Sequence, residues 1–213
     1  MDFREIEDVR KFCRETGFVF STQHDRVLET ALTPEVIDDI FKWVTQYTKR
    51  PLLYEIGCSR GYTTAQIVQR LREKVVKDYR LIACDIDPRS VSWASEKFSA
   101  DERITVELRN GLDYSEIESD SVDGIFSFNV MLPFLEHCLI NGRRLHRVFL
   151  NESSRVLKEG KPLVLTWLWK PLILIKDKRM SGIPFQLKLY RPHKSIEPFL
   201  QILKEEKNER KSN

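Results

Sequence analysis

The sequence predicts a single α/β domain: a doubly wound, mostly parallel sheet with helices on both faces, an N-terminal helical cap and a C-terminal antiparallel hairpin. Three observations carry this reading. At 213 residues the chain suits one such domain and is short for two. From Pro51 onward, short apolar runs alternate with amphipathic stretches, the pattern of strands joined by crossover helices. No internal repeat, low-complexity segment or linker divides the chain. The expected organisation is a helical cap over residues 1–50, the main domain over 51–200 and a charged tail over 201–213.

Each element has its own signal. A first helix is expected over about Phe3 to Arg14. A second follows Thr33-Pro34-Glu35, which supplies an N-cap, a first-turn proline and a first-turn acid, and Val36, Ile37, Ile40, Phe41, Val44 and Tyr47 then recur at helical spacing. LLYEI from Leu52 reads as the first strand, followed by a helix over about Tyr62 to Lys74. RLIACD is the second strand, and Asp87-Pro88 starts a helix over Pro88 to Phe98. RITVEL and VDGIFSF supply the third and fourth strands. A helix is expected over about Gly142 to Leu157, with Gly160 as its C-cap, and PLVLTWLW forms a fifth strand. LILIKDKRMSGIPFQLKLY reads as a hairpin turning near Lys178 to Gly182, and Ser195 to Lys211 as a last helix. Right-handed crossovers then place helices on both faces, with ligands expected outside the carboxyl ends of the strands.

Composition narrows the function classes. Lys+Arg 35 against Asp+Glu 32 leaves a net charge of +3, with no basic block long enough to neutralise a run of phosphates. The four cysteines, Cys13, Cys58, Cys84 and Cys138, are scattered without a C-x-x-C pair, so neither a metal site nor a disulfide framework is expected. Reduced thiols point to the cytoplasm. The charged N-terminus MDFREIEDVRKFCRE lacks the apolar core of a secretion signal. Leu163 to Ile175, the most apolar run, is too short to span a bilayer and is broken by Lys170-Pro171, so no membrane span is expected.

The end of the first strand carries the functional signal. IGCSRGY, Ile56 to Tyr62, fits the nucleophile elbow G-x-S-x-G and equally a glycine-rich turn that lets a nucleotide-like ligand lie against backbone. Chain order disfavours the elbow, because strands and an HGGG-type loop should precede it and no such loop occurs. A dinucleotide fingerprint would put glycine at the first, third and sixth positions, where this chain has Gly57, Ser59 and Tyr62. Small residues recur instead at alternate positions, Gly57, Ser59 and Gly61, behind an acid at Glu55. On this reading Gly57 and Gly61 leave space for a ligand, and Ser59 makes room and attacks nothing.

This spacing resembles motif I (D/E-x-G-x-G-x-G) of the class I S-adenosylmethionine-dependent methyltransferases, which share a Rossmann-like fold. The resemblance extends to ACDIDP, with Asp85 at the acidic strand end, and to Arg155-Val156-Leu157-Lys158, which matches the family's RVLKPGG turn except at Glu159 and Lys161. It covers about Leu52 to Trp169. It implies an enzyme that uses S-adenosyl-L-methionine, with Asp85 holding the ribose hydroxyls and Glu55 near the amino-acid end. Gly57, Cys58, Ser59, Gly61 and Tyr62 would form the cofactor loop, Ile86 and Leu112 would sandwich the adenine, and Asn110, Gly111 and Asn129 would complete the site. Two departures stand out. Leu112 falls where the family usually has an acid beside the adenine, which leaves that contact to Asn110, Asp113 or a backbone carbonyl. No helix separates the fifth strand from the hairpin.

Methyl transfer requires mainly that a nucleophile be placed in line with an activated carbon, and a general base is optional. The acceptor should approach over SFNVMLPFLEH. This segment lacks both the N/D-P-P-Y/F motif of nucleobase amino methyltransferases and the Pro-Cys of cytosine C5 enzymes. His137, expected in a loop lining the acceptor pocket, is the candidate base, with His24 behind it; Met131, Phe134 and Trp167 read as packing. The expected function is methyl transfer to a small-molecule O, N or S nucleophile, with the N-terminal helices folding over the cofactor and residues 17–30 completing the pocket. The alternatives are a non-catalytic cofactor-binding adapter, or an RNA or protein acceptor docked on Lys176-Asp177-Lys178-Arg179.

Overall fold

Seven strands form one sheet in the order β3-β2-β1-β4-β5-β6-β7. The computed structural model describes residues 3, 5–18, 32–74, 76–167, 170–179, 184–190 and 196–209. Strands β1 (Leu52–Ile56), β2 (Arg80–Asp85), β3 (Ile104–Leu108), β4 (Gly124–Phe128) and β5 (Pro162–Trp167) are mutually parallel, whereas β6 (Lys170–Lys176) and β7 (Phe185–Tyr190) add antiparallel steps. The order reverses between β1 and β4, which share a ladder from Leu53↔Gly124 to Glu55↔Phe126. A crevice must open there, at the carboxyl ends of both strands.

The strands read as nearly continuous apolar runs because both faces are covered. On one face Tyr54, Ile56, Ile125, Leu163 and Leu165 pack beneath α1 (Ile6–Thr16), α5 (Met131–Ile140) and α6 (His146–Val156). On the other, Leu53, Leu81, Phe126, Phe128 and Val164 pack against α2 (Pro34–Thr45) and α3 (Tyr62–Glu73). α4 (Pro88–Phe98) seats Ala94 on Ala83 and Cys58. The last helix, α7 (Glu197–Glu209), sets Phe199 edge-on to His146 and Phe149 of α6. Among the described residues no helix is long and apolar enough to cross a membrane.

Most expected elements are present, with three differences. The expected helix over Gly142 to Leu157 starts only at His146; it ends at an extended Leu157, and Gly160 (φ 74°) lies beyond it in the turn into β5 rather than at its C-cap. α5 has no counterpart in the expectation. Its buried residues surround the helix, which hides the 3.6 period, and Pro133 sits in the first turn, where a missing N–H costs nothing. The two N-terminal helices part company: α1 lies on the α5 face, whereas α2 packs on the opposite one. The last helix lies within the expected Ser195 to Lys211.

A buried cation ties four of these pieces together. The Lys161 ammonium donates to the carbonyls of Trp43, Val44 and Gln46 at 3.1, 2.8 and 2.7 Å, capping the carboxyl end of α2. Asp123, fully buried before β4, lies 3.4 Å from that ammonium and accepts from the Leu52 N–H (3.0 Å) and Lys158 Nζ (2.7 Å). Asp123→Ala leaves Lys161 without its counter-charge and the Leu52 amide without its acceptor. The expected loss is about 3 kcal/mol in urea unfolding; a loss below about 1 kcal/mol would show the pair to be incidental.

Candidate functional site

The loop after β1 owes its shape to three residues in the left-handed region: Gly57 (φ 78°), Ser59 (φ 47°) and Gly61 (φ 74°). The alternation of small residues thus records alternate positive φ angles, which cost a side-chain-bearing residue about 1–2 kcal/mol. A Cβ at Gly57 would collide with the Val130 side chain, and one at Gly61 with Phe98. These glycines make room for protein as well as for any ligand, so a valine at Gly57 would disturb the fold rather than selectively block the site. Gly111 is similar, since a Cβ there would meet Ile56.

The loop is pinned to β2. Gly57 and Cys58 donate their N–H groups to the Cys84 carbonyl at 2.8 and 3.0 Å. Ser59 N–H donates to Asp85 Oδ2 and Asp87 N–H to Asp85 Oδ1, both at 2.9 Å. Burial pushes the Asp85 carboxyl above the usual carboxylate range, while these amides pull it back. Asp87 caps α4 through the amides of Arg89 and Ser90.

Over this loop lies a cavity of about 340 Å³, within the ~300–1,000 Å³ typical of small-molecule sites. Gly57, Cys58, Ser59 and Tyr62 line one side; Asp85, Ile86, Asn110, Gly111 and Asn129 line the rest of the expected set. The Ser59 hydroxyl is buried without a protein partner.

Four expected residues are not on the wall. Gly61 starts α3 behind the loop. Leu112 is buried in the core, so it does not face Ile86 across an adenine. Glu55 lies beneath the floor at 1% exposure, its oxygens accepting from the Thr63 and Thr64 hydroxyls, the latter at 2.6 Å. His137 sits on α5 rather than in a loop: its Nε2 is 2.7 Å from Thr16 Oγ1 and its ring lies between those of Phe12 and Phe18. It serves the α1–α5 contact. Asn110, although on the wall, has its amide donating to the Phe3 carbonyl while its oxygen accepts from Leu112 N–H at 3.1 Å. Asp113 accepts from the Ser115 N–H at 3.0 Å and is off the wall.

The sequence reading did not single out Thr63, Arg109 or α1's Val9 on this wall; Phe18 falls within the residues 17–30 and Val130 within the SFNVMLPFLEH segment expected at the pocket, whereas Met131 and Phe134, which also line it, were taken for packing. Arg10 of α1 donates through Nε (3.0 Å) and a terminal nitrogen to the Ile86 carbonyl, which fixes α1 beside the cavity. No local motif announces such long-range contacts; the one available signal was α1's apolar stripe. His24 and residues 19–30 lie outside the described residues.

Glu55 gives the site a pH signature. Burial raises its carboxyl to about 7, opposed by the hydroxyls of Thr63 and Thr64. The folded state therefore holds a proton that the unfolded chain, at the ordinary 4.5, releases. This stabilisation is complete below about 4.5 and is lost as pH rises through 7. The unfolding free energy of the wild type relative to Glu55→Gln should fall between pH 4.5 and 7.5, by up to about 3 kcal/mol. A constant difference in paired urea titrations would refute this account.

A family model described as a methyltransferase domain matches residues 53–160, just over half of the chain. A comparison with curated proteins finds no match. Among solved structures, a Haemonchus contortus phosphoethanolamine N-methyltransferase 2, in complex with phosphomonomethylethanolamine and S-adenosylhomocysteine, is similar at 15% identity and a TM-score of 0.53, over 97% of this chain and 44% of that one. A Streptomyces coelicolor A3(2) geranyl diphosphate C-methyltransferase (15%, TM-score 0.46, 61% and 43% of the two chains) and an Aquifex aeolicus SAM-dependent methyltransferase (17%, TM-score 0.47, 84% and 78%) are also similar. The chain spans less than half the length of the first solved structures it matches. With a switch-point crevice, a loop of alternating left-handed residues and the matching family model on one stretch of sequence, this chain belongs to the family of methyltransferase domains.

Proposed function

We propose that the chain is an S-adenosyl-L-methionine-dependent methyltransferase acting on a small molecule. The observation that carries this is the pairing of Asp85 with the unpartnered Ser59 hydroxyl on one cavity wall. Asp85 spends one bond per oxygen on backbone amides and keeps further lone pairs for a vicinal diol such as ribose. Ile86, Val9 and Phe18 supply apolar surface for a flat base, so the residues present fit the cofactor. When bound, it would supply a methyl carbon already activated by positive sulfur. The protein's share is placement: Phe128 at the end of β4 and Met131 and Phe134 of α5 line the cavity and would seat the acceptor. No side chain need take a proton from an amine or thiol acceptor, and His137, engaged with Thr16, is not assigned that role.

A small acceptor is favoured over RNA because the cations of the hairpin are matched within the chain. Lys176 and Lys178 reach Asp120 at 2.6 and 3.0 Å, and Arg179 reaches Asp177 at 2.9 Å. The phosphobase on which the Haemonchus protein was captured lies within the proposed acceptor range. We assign residues 51–200 as the catalytic domain and 1–50 as the segment that closes it. Four free, buried cysteines suit a reducing compartment such as the cytoplasm.

Isothermal titration with S-adenosylhomocysteine should give saturable heat, and Asp85→Asn should weaken binding tenfold or more by turning an acceptor toward amide donors. Methyl-labelled cofactor should then mark an acceptor from a panel of small amines, thiols and hydroxyls. Absence of both heat and thermal shift in the wild type would overturn the proposal; binding without transfer to any acceptor would favour an adapter.

A further inference from the structure

The cavity changes character from one end to the other. Where β1 and β2 end, its wall is polar, with Asp85, Asp87 and the Ser59 hydroxyl. Where β4 ends it is apolar: Phe128, Val130, Met131 and Phe134 line it, and Asn129 is the one polar side chain among these described residues. Phe18, just past α1, also lines the cavity and is set edge-on to Phe134 with ring centroids 5.9 Å apart.

Among the described lining residues the only cation is Arg109. It directly follows β3, which lies three strand steps from β4 in the sheet, a distance of about 14 Å. Its guanidinium is held besides by Glu107 at 2.8 Å and by Glu116. A phosphate or carboxylate seated against Phe128 and Met131 would therefore lose water and gain no counter-charge, which is costly.

Methyl transfer moves charge as well as carbon. When a neutral amine attacks, its nitrogen lone pair forms the new N–CH₃ bond, the electron pair of the broken S–CH₃ bond stays on sulfur, and the positive charge passes from sulfur to nitrogen. An anionic nucleophile would cancel that charge instead. Aromatic faces stabilise a cation without any counter-ion. A methionine thioether beside them adapts to the shape of an alkyl or aryl body.

We propose that the acceptor is a neutral amine on an apolar alkyl or aryl body, that the charge it gains is held against the rings of Phe18, Phe128 and Phe134, and that anionic acceptors are turned away. A primary or secondary amine then releases its proton to water, whereas a tertiary amine has none to lose. This inference rests on the cofactor reading above. It narrows the acceptor range given there and leaves the phosphobase outside it.

The test titrates protein saturated with S-adenosylhomocysteine, using three probes. Benzyltrimethylammonium is the cation, neopentylbenzene is its neutral carbon isostere, and phosphocholine carries the same trimethylammonium group on a phosphate. The cation should bind saturably, about fivefold or more tighter than the isostere and about tenfold or more tighter than phosphocholine. Phe18→Leu, which keeps an apolar side chain at a half-buried position but removes one ring, should cut the preference for the cation over the isostere by about twofold or more. Transfer from methyl-labelled cofactor to N,N-dimethylbenzylamine should exceed transfer to N,N-dimethylphosphoethanolamine. Phosphocholine binding as tightly as the cation, equal binding of cation and isostere, no binding of the cation, an unchanged preference in Phe18→Leu or the reverse order of transfer would each overturn the assignment. Failure of the wild type to bind S-adenosylhomocysteine would instead remove the cofactor reading, and this inference with it.

Discussion

The carboxylate of Asp85 holds the crevice in shape. One oxygen takes the Ser59 amide and the other the Asp87 amide, so a single side chain fixes the turn after β1 and the turn after β2 relative to each other. A charge so placed loses water and its pKa rises, and the two amides limit that cost by stabilising the ionised form. The same bonds set the distance between loop and strand end, and with it the width of the cavity mouth. Ser59 accepts a left-handed backbone within this arrangement, a strain of the kind that accumulates at binding loops.

Charge buried in this molecule falls into two kinds. Asp123 and Lys161 sit at the amino ends of β4 and β5, where they satisfy backbone groups of α2 and β1 and hold elements together. Glu55 and Asp85 sit at the carboxyl ends of β1 and β2, where the sheet opens. The first pair is closed on itself, and its energetics are those of a structural ion pair. The second pair is two carboxyls near one cavity, each raised chiefly by burial, an arrangement that marks a site rather than a joint.

Much of this was legible in the sequence because local rules and tertiary structure agree. Asp87-Pro88 starts a helix in the sequence and caps one in the structure, with bounds of Pro88 and Phe98 in both. The alternate small residues of IGCSRGY mark a real backbone requirement, although the reason at Gly61 proved to be Phe98 and not a ligand. What was illegible depends on contacts between distant segments. Leu112 looked like a wall of the site because it follows the third strand, yet it turns into the core while Asn110 bonds to Phe3. His137 looked like a candidate base because α5, apolar nearly all round and carrying an early proline, gave no helical signal. Lys161 looked like a departure from a glycine, and its function appears only once α2 ends above it.

Arg10 and the Ile86 carbonyl it grips are separated by 76 positions along the chain, and Thr16 meets His137 across 121. During synthesis the first helix therefore emerges long before its seat exists, and its apolar stripe must wait for β2 and then α5 to be made. Closing so long a loop is entropically slow, although the cost grows only with the logarithm of its length. The sheet can order early from its neighbouring strands, and α1 docks as one of the last events. The cavity is thus finished by a segment made before the elements it docks on, and a nascent domain cannot hold its ligand tightly until β2 and α5 have both been made.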